Sequence, residues 1–162
     1  MSKREDFKTR RRLLFARIQS RRGYLDSPRL ERRDIRRYSN VLESNFGISL
    51  EVMHKDSPVL QYMDENGMRA GFSSLHRKIY VRRAVTYYEL VHEMKHAQHW
   101  ANLGEQQYDR LSVLQKETYV FEELMNEKHN LTSKEVVDAY RYLNKLRADY
   151  GIDPLSSDVI MP

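Results

Sequence analysis

His92-Glu93-Met94-Lys95-His96 places two imidazoles one helical turn apart with a carboxylate beside the first. On a helix, residues i and i+4 project from one face, so His92 and His96 can grip one ion while Glu93 reaches water next to it. This is the HExxH pattern of a hydrolytic zinc site. The flanks supply the helix. Thr86 and Glu89 form a T-x-x-E capping box that starts it before the first histidine, and Gly104 stops it. Tyr87, Leu90, Val91, Met94, Ala97 and Ala101 recur at helical spacing as a core-facing stripe, with His92, Glu93 and His96 along its border.

Upstream, Phe7, Leu14, Phe15 and Ile18 share one side of a helix predicted over residues 4–22, ended by Gly23. Ser27 and Pro28 read as the N-cap and first-turn proline of a second helix, with Leu30, Tyr38, Val41 and Leu42 facing inward and Gly47 as its stop. Ile48, Leu50 and Val52 alternate with polar residues, and further strands are predicted at residues 59–63, 68–73 and 79–81. Asp64-Glu65-Asn66-Gly67 has hairpin chemistry and residues 74–78 form a second polar break, which together predict an antiparallel meander. Downstream, Tyr108, Leu111 and Leu114 lead into a helix carrying Lys116 to Leu124, and Thr132 with Glu135 opens a last helix that ends near Gly151. The expected class is α+β, mostly helical, with a small antiparallel sheet preceding the HExxH helix. A single domain is expected over residues 1–162: a basic helical part at 1–47, the sheet and catalytic helices at 48–150, and an irregular tail at 151–162.

A chain of 162 residues, 40% of them hydrophobic, can bury one real core. Cysteine is absent, which excludes disulfides, thiolate metal sites, cysteine nucleophiles and the deformylase-type site in which a cysteine joins the two histidines. The apolar runs are short and the N-terminus is charged without an apolar h-region, so neither a membrane span nor a secretory signal is expected. The net charge of +5 is unevenly spread: residues 1–37 hold 14 Lys+Arg against 5 Asp+Glu, and the remainder 14 against 18. Such a basic segment suits nucleic acid, anionic lipid or an acidic partner, but it is also the ordinary solvated face of arginine-rich helices. Nothing else supports base readout, so nucleic acid is not the expected partner.

A catalytic zinc keeps three protein ligands and an open position, so the third ligand sorts the subclass. The metzincin pattern HExxHxxGxxH fails, with His99 where its glycine would stand and Asn102 where its histidine would. The gluzincin option takes a glutamate from a following helix, and Glu117 stands at a fitting separation. Glu122 is its chief competitor on the same helix; Glu123 and Asp109 are weaker, and His99 is left outside the metal shell. Glu93 is the expected general base, accepting a proton from zinc-acidified water and passing it to the leaving amine. Tyr88, Tyr119, His129 and Tyr140 are, by chemistry alone, the candidates to stabilise the oxyanion. An extended substrate is expected to pair with an edge strand at residues 70–73 or 79–81.

The run Thr86 to His96, the later Gly104 and Tyr108, and Lys116-Glu117-Thr118-Tyr119-Val120-Phe121 resemble the zincin-like metallopeptidase toxin domains of bacterial polymorphic toxins, over about residues 48–146. The resemblance implies a zincin-like fold, His92, His96 and Glu117 as Zn2+ ligands, and Glu93 as the base. It further implies a protein or peptide substrate, a cognate immunity protein, and delivery into a target cell by a secretion system or as part of a larger toxin; without such delivery the chain would be cytoplasmic. A related layout, HExxH followed by a glutamate in an E-x-x-x-F context, occurs in proteases that cleave phage-type repressors, which gives a second enzyme reading. A basic binding module built on the N-terminal helices is the reading outside enzymology.

Overall fold

The computed structural model describes residues 21–162. In order, the chain forms α1 (Arg32–Phe46), β1 (Ser49–Val52), α2 (Pro58–Glu65), β2 (Ala70–Ser73), β3 (Lys78–Val81), α3 (Tyr87–Leu103), α4 (Glu105–Asp109), α5 (Val113–Asn126) and α6 (Ser133–Asp149). Short 3-10 turns lie at Tyr24–Asp26, Lys128–Asn130 and Ser157–Ile160. Helix outweighs strand, in line with the mostly helical α+β class expected. The helix expected over residues 4–22 falls almost wholly outside the described residues; at its far end Arg22 is bridged to Pro28 instead.

The sheet corrects the expected meander. Ser57 occupies an N-cap position with Pro58 in the first turn, so residues 59–63 are helical in α2 rather than a strand, and Met63 is the residue α2 buries. Asp64 to Gly67 is the exit from that helix, not a hairpin turn; Gly67 takes φ 64°, which favours glycine. With a helical crossover in place of a tight turn, β1 can run parallel to β3, setting Leu50 opposite Ile79 and Val52 opposite Val81. β2 and β3 form the expected antiparallel hairpin, with Phe72 opposite Ile79. The order β1-β3-β2 is therefore a mixed three-stranded sheet preceding the HExxH helix, with β3 central.

Ser27 and Pro28 do not open α1, which begins at Arg32 with a reciprocal cap between Glu31 and Asp34 and stops at Gly47 as expected. They serve the start of α3. The Tyr87 N–H donates to Pro28 O at 2.9 Å, the Tyr88 N–H to Ser27 Oγ at 3.1 Å, and the Glu89 N–H to Thr86 Oγ1 at 3.3 Å. Thus three N–H groups that a helix start leaves orphaned each have a partner, two of them from a segment far away in sequence. The Glu89 carboxylate accepts in turn from the Thr86 N–H at 2.8 Å, completing the capping box legible in the sequence.

α3 is the central element. The sheet edge β2, helix α5 and the segment before α1 all pack around it, so its polar residues are buried along with its apolar ones. A buried charge needs a partner: Glu89 has Arg69, and Lys95 has Glu127 at 3.1 Å and Glu123 at 3.9 Å, whereas the buried Glu93 pairs with no group among the described residues. Leu90, Ala97, Ile79, Val81, Val120, Leu124 and Leu143 form the middle of the core. Of the expected stripe, only Ala101 faces solvent and Met94 is half-buried. Downstream, the helical stretch divides: α4 ends at Asp109, and Ser112 with Gln115 caps a fresh start for α5. α6 opens on the Thr132–Glu135 box, and the tail lies back on it through the Tyr140 hydroxyl, which donates to Leu155 O at 2.8 Å. No helix among the described residues is long and apolar enough to cross a membrane.

Candidate metal centre

α3 and α5 pack side by side and carry the three donors. His92 and His96, a turn apart on α3, have ring centroids 5.1 Å apart. Glu117 projects between them from α5. Its Oε2 lies 3.2 Å from His92 Nε2 and its Oε1 3.1 Å from His96 Nε2. One donor atom from each of the three residues falls within 4.8 Å of the others, and this is the one such histidine–carboxylate cluster among the described residues. The side chains are 21%, 10% and 12% exposed for His92, His96 and Glu117, so the cluster is enclosed yet open on the His92 side.

Glu117 is held there by helix phase. Leu114, Glu117, Phe121 and Leu124 follow i, i+3, i+7, i+10 spacing, which sets a carboxylate in the row that otherwise buries apolar side chains. Burial alone would raise its pKa, but contact with His92 and His96 outweighs burial and holds the carboxyl down at about 2. Burial likewise pulls His92 down, and the Glu117 contact with the charges of Glu93, Glu117 and Asp138 lifts it above the ordinary histidine value. The site is thus a negative well, which protons and cations compete to fill.

The donor chemistry fits a divalent ion. Two imidazole nitrogens and one carboxylate oxygen are the His2Glu set of catalytic zinc sites. Ligand atoms around a tetrahedral zinc stand about 3.3 Å apart given its bond lengths, and the Nε2–oxygen separations here are 3.1 and 3.2 Å. Glu117 Oε2, 3.2 Å from His92 Nε2, makes no aligned hydrogen bond among the described residues.

Glu93, next to His92 and 9% exposed, has a carboxylate that enters no hydrogen bond or ion pair among the described residues. Its charge reaches two tyrosines the sequence reading gave no role. Tyr108 places its hydroxyl 3.3 Å from His96 Nδ1, and burial first, then Glu117 and Glu93, push its phenol above the ordinary range. Tyr142, on α6, meets the His92 ring edge-on at 6.5 Å between centroids, and burial, then the same two carboxylates, push it up to about 12. Tyr142 follows Asp138 by four residues on a face of α6 separate from its Val136–Tyr140–Leu143 stripe, so apolar periodicity passed over it.

Other residues singled out by the sequence lie elsewhere. Glu122 is exposed and lines a groove with His99, Leu111 and Leu114, away from the histidine pair. Glu123 pairs with Lys95, and Asp109 accepts from Ser74 Oγ at 3.0 Å. His99 stacks on Tyr119 at 3.9 Å, outside the cluster. Among the oxyanion candidates, the Tyr88 hydroxyl donates to Asp138 at 3.3 Å, Tyr119 accepts from Gln98 and Asn102, Tyr140 is bound to the tail, and His129 sits exposed on the 3-10 turn.

A family model described as metallopeptidase toxin 4 matches residues 20–149. The match reaches beyond residues 48–146 to include Ser27 and Pro28, which close the start of α3, and it ends with α6. No curated protein and no solved structure matches the chain. A metallopeptidase toxin domain implies a metal cofactor and protein substrates. Covering every helix and strand from α1 to α6, the match establishes that this chain belongs to the metallopeptidase toxin 4 family.

Proposed function

We propose that the chain is a zinc-dependent peptidase of the His2Glu type, with His92, His96 and Glu117 as the ligands and Glu93 as general base. It acts as the toxin module of a polymorphic toxin, delivered into a target cell and restrained in the producer by a cognate immunity protein. The observation that carries this reading is the convergence of Glu117 with His92 and His96 at 3.1 to 3.2 Å. When bound, the ion supplies Lewis acidity and brings the pKa of water to about 7. Glu93 would accept a proton from the attacking water as its oxygen bonds to the scissile carbonyl carbon, and deliver the proton to the amide nitrogen as the C–N bond breaks. The products are a carboxylic acid and an amine.

Tyr142 is the donor best placed for the carbonyl oxygen as charge develops there. Its phenol, beside the His92 ring, is un-ionised at neutral pH and able to donate. Removing one such donor costs about 10²–10³ in kcat. Tyr142→Phe is expected to lose activity on that scale with KM little changed, in steady-state kinetics on an unfolded protein substrate. An unchanged kcat would transfer the role to another group.

Of the two strand segments considered for substrate pairing, residues 79–81 belong to β3, which is paired on both sides and has no free edge. β2, like β1, is an edge strand, and its Phe72 touches Tyr108, the residue that also contacts His96. An extended substrate adding to Ala70–Ser73 would therefore lie along the metal cluster.

The test is metal dependence. Purified protein should carry stoichiometric zinc and cleave a protein substrate, lose both on chelation, and regain both on zinc addition. Expression in bacterial or eukaryotic cells should arrest growth. A metal-free protein whose activity ignores chelators would end this reading.

A further inference from the structure

We propose that Tyr108 is the positioning residue for His96, its phenol oxygen accepting the Nδ1 proton so that Nε2 presents its lone pair to the ion. The inference rests on the metal reading above and goes beyond it, since it assigns a function to α4. A neutral imidazole carries one proton on two nitrogens, and the partner of one nitrogen decides what the other can do. In His96 the two faces are separately occupied: Nδ1 lies 3.3 Å from the Tyr108 hydroxyl and Nε2 3.1 Å from Glu117 Oε1.

The fold fixes this phenol from several sides. Gly104 ends α3 at φ 83°, ψ 156°, and the chain turns back, with the Tyr108 N–H donating to Gly104 O at 3.0 Å. α4 is five residues long and Tyr108 is the only one it buries. Its ring is met edge-on by Phe72 of β2 at 6.0 Å and His99 of α3 at 5.5 Å, with the Lys116 ammonium 4.5 Å above the face. Three elements thus set the direction of one hydroxyl.

A phenol suits this position better than the carboxylate that often supports a metal-bound histidine. A carboxylate only accepts, and here it would add a third negative charge beside Glu93 and Glu117. A hydroxyl both donates and accepts. Tyr108 can donate to Nδ1 when the ion is absent and His96 Nε2 carries its proton toward Glu117, then accept from Nδ1–H when the ion takes Nε2. The contact survives loading in either tautomer.

The experiment compares zinc affinity, by competition with a chromogenic chelator, in the parent, Tyr108→Phe and Phe72→Leu, with the His96 ring followed by 15N–1H spectroscopy in the zinc-loaded parent. Tyr108→Phe keeps the ring and removes the oxygen, and is expected to weaken zinc binding roughly 10- to 100-fold. Phe72→Leu removes one of the three contacts on the ring but keeps the oxygen, and should weaken zinc binding clearly less than Tyr108→Phe does. The loaded parent should show a slowly exchanging proton on His96 Nδ1. Equal affinity in Tyr108→Phe, an equal loss in Phe72→Leu, or an unprotonated Nδ1 in the loaded parent would each overturn the proposal. A parent that binds no zinc would overturn the metal site itself.

Discussion

Glu93→Ala will bind zinc as tightly as the parent and turn over about 10²–10⁴-fold more slowly. The residue sits beside the three proposed ligands without being one of them, and its carboxylate is tied to no other group among the described residues. Removing a positioned base costs catalysis on that scale, while the coordinating atoms stay where α3 and α5 hold them. The predicted pattern is a fall in kcat with metal content, melting behaviour and KM nearly constant. The variant should also spare a cell that the parent harms. A Glu93→Ala protein as active as the parent would refute its assignment as base; one that is inactive because it no longer holds zinc would make it a ligand.

Glu117→Ala should lose zinc by more than the roughly 10- to 100-fold that outer-shell changes produce, and Glu122→Ala should lose none. The ground is geometric: the Glu117 oxygens lie 3.1 and 3.2 Å from the two Nε2 atoms, while Glu122 stands exposed on another face of α5. The mutation also removes the one anion in direct contact with both rings, whose centroids lie 5.1 Å apart. Isothermal titration with zinc on the two variants checks this. The reverse ranking would move the third ligand to Glu122.

The distinction between those two glutamates was present in the sequence as phase rather than as separation. Counting residues after His96 leaves both open, but only Glu117 falls on the Leu114–Phe121–Leu124 row, where an unpartnered acid would be too costly to bury. The α3 capping box, the Gly104 stop and the Thr132 start were equally legible, because each depends on neighbours in the chain. What escaped local reading depends on distant segments. Ser27-Pro28 and Ser57-Pro58 carry the same helix-start signature, yet only the second starts a helix; the first spends its hydroxyl and carbonyl on the N–H groups of α3. The parallel β1–β3 pairing likewise depends on α2, the crossover that carries the chain past β3. Tyr108 and Tyr142 acquire meaning only when α4 and α6 bring them to His96 and His92, which no periodicity announces.

On the proposed function, α3 and α5 together enclose one cation. A zinc-edge anomalous diffraction map of crystals grown from the zinc-loaded protein tests it most directly. One strong peak per chain is expected, bonded to His92 Nε2, His96 Nε2 and a Glu117 oxygen at about 2.0–2.2 Å, with the remaining position open toward Glu93 and Tyr142. A peak held by other residues, or loaded crystals with no peak between these three side chains, would contradict it.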